Sequence, residues 1–159
     1  MSTNGEKAFG LFSAKLGQSE GIGEWFLIDQ ERINAFAEIT EDRQFIHVDP
    51  VLSAQLSPWG VPIAHGFLTL SMLTHLCGTI PQPPETLEGI VMGVNYGCDK
   101  VRFVSPVKVD SKVRASSTLS TVEQKDANTL QIMRTVTIEI EGETKPAIVA
   151  EWITRLVYG

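Results

Sequence analysis

Residues 66–76 read Gly-Phe-Leu-Thr-Leu-Ser-Met-Leu-Thr-His-Leu and are apolar almost all the way round at helical spacing. A helix without a clean polar face has to be covered on most sides. Gly78 and Pro81 close it. The second half of the chain has the residues to provide that cover. Leu130, Ile132, Val136, Ile138 and Ile140 alternate with Gln131, Thr135, Thr137 and Glu139, the period of a half-buried strand. Val113, Ala115, Leu119 and Thr121 alternate in the same way with Lys112, Arg114 and Thr118. Asp126-Ala127-Asn128 and Gly142 supply turns that make these runs an antiparallel meander. Further strands are expected at about 88–96, 99–105 and 146–157. The pattern predicts an α+β fold, an antiparallel sheet wrapped around a central buried helix.

Upstream, a short extended piece over 24–28 leads to Asp29, placed to cap a helix running to about residue 39. Ile33, Phe36, Ala37 and Thr40 would share one face of it. Asp49-Pro50 is a second start signal, a cap residue followed by proline at the first helical position. It opens a short helix over 51–56 that Ser57-Pro58-Trp59-Gly60 ends. With 159 residues, 43% of them hydrophobic, and no internal repeat or linker, residues 1–159 are expected to form one domain with a proper core.

The formal net charge of −6, with lysines and arginines scattered, argues against nucleic acid or an anionic membrane as partner. The apolar run at 66–76 is too short and too interrupted to span a bilayer. Met-Ser-Thr-Asn-Gly-Glu-Lys has no signal-peptide run. Cys77 and Cys98 have no C-x-x-C spacing and are expected to be buried, reduced thiols. A cytoplasmic protein is the expectation.

Chemistry narrows to a few residues. His47 lies beyond the first of these helices in a stretch that also carries Asp42, and a turning loop can bring the two together. A neutral imidazole takes protons near pH 7, and an adjacent carboxylate could share an activated water. The bland reading is that Asp42 finishes the helix and His47 bonds backbone. His65-Gly66 stands where the apolar helix begins, so its free N–H groups could hold developing negative charge, and glycine lets a ligand approach. Alternatively Gly66 eases the helix into a crowded core and His65 caps it. Thr74, about two turns on, could support the site or bond back to its own helix. His75, inside the apolar run, reads as structural.

Two segments carry a resemblance. Asp42-Arg43-Gln44-Phe45-Ile46-His47-Val48-Asp49-Pro50 and Pro62-Ile63-Ala64-His65-Gly66-Phe67-Leu68-Thr69 resemble, in order, the paired motifs of the MaoC-like, hydratase-2 family of hot-dog proteins. Gln44-Phe45 replaces that family's commoner Asn-Pro. This, with residues 95–103, Asn-Tyr-Gly-Cys-Asp-Lys-Val-Arg-Phe, looks like the nodulation-protein-N branch. The similarity runs from about Trp25 to the last strand.

The resemblance implies a hot-dog fold and an (R)-specific enoyl-thioester hydratase. Asp42 and His47 would be the catalytic pair, the Gly66 N–H the thioester-oxygen donor, and Thr74 the family's hydroxyl position. It implies a homodimer and an acyl-CoA or acyl carrier protein thioester as substrate, with no metal and no cofactor. Lys100, Arg102 or Lys108 could meet coenzyme A phosphates or be plain solvated charge. The alternatives are an acyl-CoA thioesterase and a non-catalytic acyl-binding partner subunit of a dehydratase. The Asp42…His47 pair in hydratase order speaks against both.

Overall fold

A computed structural model describes residues 2–159. Four long or middling strands, β3 (Ile90–Phe103), β4 (Ser111–Asp126), β5 (Thr129–Ile140) and β6 (Ile148–Tyr158), build the sheet with two short ones, β1 (Ser19–Ile22) and β2 (Phe26–Ile28). Its order is β1-β4-β5-β6-β3, with β2 also on the outer edge of β4, and every pairing is antiparallel. The alternation of β4 and β5 survives as predicted: Val113, Ala115 and Leu119 face inward, as do Leu130, Ile132, Val136, Ile138 and Ile140. Thr121 does not join them. A bulge between Leu119 and Thr121 adds a residue and turns it out to solvent.

The expected pair of strands over 88–96 and 99–105 is one long strand, β3. The expected break at 97–98 is paired instead, Gly97 with Ile153 and Cys98 with Trp152, and the register shifts on either side of it, between Asn95 and Gly97 and between Asp99 and Arg102, with Lys100 at φ 48°. Cys98, on this strand, is exposed rather than buried, and Cys77 is half-buried; both are free thiols.

The central helix is two short ones, α5 (Gly66–Ser71) and α6 (Leu73–Gly78), meeting at Met72. It is less covered than its composition predicts. Leu68, Thr69, Leu73 and Leu76 are buried against the sheet, but Phe67 is 67% exposed and Ser71, Thr74 and His75 also face outward. One sheet covers only one flank of a helix, so the outer flank, with Phe67 on it, is left exposed. Strand β3 carries further exposed apolar side chains, among them Val91, Met92, Val94, Tyr96 and Phe103.

Four more helices follow the chain around this sheet. Asp29 caps α2 (Gln30–Thr40) through the Arg32 N–H, and Ile33 and Ala37 are its buried face. One turn, α3 (Phe45–Val48), carries His47, in place of the expected loop. Asp49 caps α4 (Pro50–Leu56) through Leu52 N–H. Another turn, α7 (Pro84–Leu87), leads into β3.

The first helix, α1 (Asn4–Ser13), is not among the expected elements, although Thr3 and Glu6 form a complete capping box. Its Ala8 and Phe12 pack on Leu119, Leu130, Ile132 and Tyr158, a second apolar cluster beyond the reach of α6. At the inward position 134 the sheet carries an arginine. Arg134 Nε donates to Glu20 Oε2 at 2.8 Å, and Ser117 Oγ donates to the same oxygen at 2.7 Å. This buried pair ties β1 to the sheet. Among the described residues no helix is long and apolar enough to cross a membrane.

Candidate active site

The site is assembled by segments that meet where α5 begins. Helix α2 ends at Glu41 in the left-handed conformation, φ 64°, which turns the chain sharply and exposes Asp42 just beyond it. Arg43 locks that turn by a forked pair of bonds to Glu38, each 2.8 Å, and by pairing with Glu41. Helix α3 then carries His47 inward to 7% exposure.

His47 Nδ1 lies 2.7 Å from the Ile63 carbonyl. A carbonyl only accepts, so Nδ1 carries the proton and the lone pair is on Nε2. Burial pushes the imidazole below its ordinary pKa; the Ile63 carbonyl and the Asp42 charge oppose that, while His65 adds to it. The residue is thus a neutral base with its acceptor nitrogen fixed by the main chain. Ile63 is itself held, its N–H donating to Ile46 O at 2.9 Å while the neighbouring Ala64 N–H donates to Val107 O at 2.7 Å.

His65 is the N-cap residue of α5 but makes no side-chain cap bond, against the alternative in which it caps the helix. Its ring stacks on His47 with centroids 3.7 Å apart and planes 24° apart. Its Nε2 lies 2.9 Å from the Asp42 carbonyl.

Asp42, His47 and His65 each bring one potential ligand atom within 4.8 Å of the others, the donor set of a two-histidine, one-carboxylate metal site. The stacking works against that use. Imidazole lone pairs lie in the ring planes, and two nearly parallel planes this far apart do not meet at a nitrogen–metal distance of about 2 Å. His65 Nε2 is moreover turned to the Asp42 carbonyl, so the set does not fit a common ion.

Beside His47 is a cavity of about 260 Å³, lined by Gly66, Thr69, Phe103, Val107, Ala147 and Ile148 among others. Gly66 is the first residue of α5, so its N–H has no acceptor within the helix. A Cβ at Gly66 would stand 2.8 and 2.9 Å from two carbons of the Phe103 ring, so any larger residue there would have to displace that ring.

The structure therefore gathers Asp42, His47 and Gly66 at one end of the central helix. Thr74 is elsewhere. It lies past the break at Met72 and lines a different cavity with Cys77, Trp152 and Arg134; the threonine that lines the cavity with His47 is Thr69, which is 2% exposed. His75 packs edge-on against Phe26, centroids 4.7 Å apart, as a structural side chain. Lys100 pairs with Glu151 at 2.7 Å, while Arg102 and Lys108 are exposed. Sequence reasoning missed Thr69 and Phe103 at this cavity; the three-residue step from Gly66 to Thr69, onto the inward helix face, was the available signal for the first.

The chain resembles known proteins over most of its length. The family model for the MaoC like domain matches residues 12–141. Nodulation protein N of Rhizobium leguminosarum bv. viciae is 47% identical over 145 residues, 91% of this chain and 88% of that protein. The 3-hydroxyacyl-thioester dehydratase Z of Mycobacterium tuberculosis is 45% identical over 91% of this chain and 93% of its own length. Among solved structures, an unliganded R-hydratase from Pseudomonas aeruginosa superposes with a TM-score of 0.67 at 21% identity, covering 91% of this chain and 83% of the other. That likeness, together with the helix laid in the sheet, makes the fold a hot-dog.

Proposed function

The chain belongs to the MaoC-like domain family, and from that premise we propose that it is an (R)-specific enoyl-thioester hydratase/dehydratase, adding water reversibly to a trans-2-enoyl-CoA to give the (R)-3-hydroxyacyl-CoA. The observation that carries the reading is the His47 Nδ1–H bond to the Ile63 carbonyl. It leaves Nε2 as the proton acceptor of a residue that has a ring nitrogen within 4.8 Å of the Asp42 carboxylate and lines a cavity with Gly66. The similarity to a 3-hydroxyacyl-thioester dehydratase over nearly both full lengths supports the substrate class.

In hydration, the water held by Asp42 and His47 bonds through its oxygen to C3 as one of its protons passes to the pair. The C2=C3 electrons move toward the thioester carbonyl, and the resulting enolate oxygen is held by the Gly66 N–H. A proton then returns from the pair to C2, so both residues end as they began. General acid–base groups contribute roughly 10²–10⁴ in rate and an oxyanion donor about 10²–10³. The apolar face of β3 and the outer flank of α5 support a homodimer in which each protomer covers the other's exposed apolar side chains.

The test is crotonyl-CoA with purified protein, following loss of the conjugated enoyl absorbance and, in parallel, free thiol. Alkene loss without thiol release is expected. Asp42→Asn and His47→Ala should each lower kcat about 10²-fold or more, while His75→Ala stays near wild type. Thiol release with the alkene intact would make the protein a thioesterase instead.

A further inference from the structure

Two observations about His65 are not accounted for by a capping role. Its ring is 3% exposed, and its Nδ1 is buried without a hydrogen-bond partner among the described residues. Because Nε2 faces the Asp42 carbonyl, which only accepts, the proton sits on Nε2 and the orphaned Nδ1 keeps a lone pair turned into the protein. An unpaired buried acceptor carries a desolvation cost that an apolar ring in the same place would avoid. Packing alone therefore favours a phenyl ring here, between Phe36, at 5.0 Å from its centroid, and His47, at 3.7 Å. What the imidazole has and a phenyl ring lacks is the Nε2–H.

We propose that His65 is a positioning residue for the reaction: its Nε2–H holds the Asp42 main chain while its ring braces the face of His47, so that one side chain sets the separation of carboxylate and base. The proposal rests on the hydratase reading. Asp42 itself is exposed, on a turn between α2 and α3. The Arg43–Glu38 fork fastens that turn to α2 only. The bond from His65 is the link that ties it to the other half of the site, since His65 immediately precedes Gly66 and the first turn of α5. The titratable groups facing the His65 ring are His47, from α3, and Asp42, from the turn. A shift of about 1 Å in a catalytic group can cost about 10²-fold in rate, and loss of this link frees Asp42 by that order.

The experiment compares wild type, His65→Phe and His65→Gln for kcat and KM on crotonyl-CoA and for thermal melting. His65→Phe keeps a ring against His47 and removes the N–H; His65→Gln restores an N–H donor within reach of the Asp42 carbonyl. The expected result is a kcat roughly 10–10²-fold lower in His65→Phe, with KM within about threefold of wild type and a melting temperature unchanged or raised, and substantial recovery of kcat in His65→Gln. A His65→Phe enzyme with wild-type kcat overturns the proposal. So does a loss of kcat that tracks a loss of melting temperature equally in both variants, which would make His65 structural only. Wild-type protein that leaves crotonyl-CoA unchanged would count against the hydratase reading itself, a separate outcome.

Discussion

In a Gly66→Ala variant the new methyl group would lie 2.8 and 2.9 Å from two ring carbons of Phe103, closer than such contacts occur, so one side must move. The helix start is the less able to do so, because Ala64 N–H is bonded to Val107 O and Thr69 N–H to His65 O. Phe103 is 49% exposed and is the part that swings. Overpacking a fully enclosed site costs about 1–3 kcal/mol; with the ring partly free the lower end applies, a fall in melting temperature of roughly 2–4 °C for a chain of this size. The effect on rate should be larger. Phe103 forms one wall of the cavity beside His47, and a ring displaced from Gly66 alters the space in front of the N–H expected to hold the thioester oxygen. Loss of one such donor costs about 10²–10³ in kcat. Steady-state kinetics on crotonyl-CoA for Gly66→Ala, Phe103→Leu and the double variant separate the causes. A leucine side chain in place of the Phe103 ring leaves room for the methyl, so the double variant should recover at least tenfold of the lost kcat. A Gly66→Ala enzyme of normal kcat, or a double variant no better than the single, would refute the account of why glycine stands there.

Two other expectations come from the buried polar groups. Burial holds His47 below the ordinary imidazole pKa of about 6.5, so kcat/KM should stay level as pH falls through that value and decline only below it; an acid limb at or above 6.5 would contradict this. The unfolded chain takes up that proton first, so stability measured by urea unfolding should be full above about 6.5 and fall as pH drops toward the lower folded value. The Arg134–Glu20 pair, whose side chains are 13% and 9% exposed, gives the other. Arg134→Met leaves a buried carboxylate without its cation and should cost roughly 3–5 kcal/mol in urea unfolding, most of it regained in an Arg134→Met, Glu20→Leu double variant. A single variant within about 1 kcal/mol of wild type would mean the pair is already well solvated.

Local periodicity carried much of the fold. The alternation at 112–121 and 130–140 was readable because each strand buries one face, and the caps at Asp29 and Asp49 were readable because capping is a property of adjacent residues. The errors lie where a non-local fact decides. Gly97-Cys98 reads as a break between two strands, yet β6 pairs on both sides of it and draws it into β3 with irregular register. The helix at 66–76 looked covered because composition does not say which chain covers it. At the site, Asp42, His47 and Gly66 were legible from motif order. The contact between His47 and His65 was not, since it joins residues eighteen apart through two different turns. Thr74 lines a different cavity from His47, and spacing along a helix does not reveal the break at Met72 that precedes it.

The bond that selects the acceptor nitrogen of His47 comes from a peptide carbonyl, and every residue type that could occupy position 63 brings the same carbonyl. The tautomer of the base is therefore indifferent to side-chain mutation at the residue that dictates it. Single substitutions can remove the histidine or loosen the segment, but they cannot reassign its proton. Substitutions at residues such as Phe103 can reshape the cavity wall while the nitrogen of His47 that carries the proton stays the same.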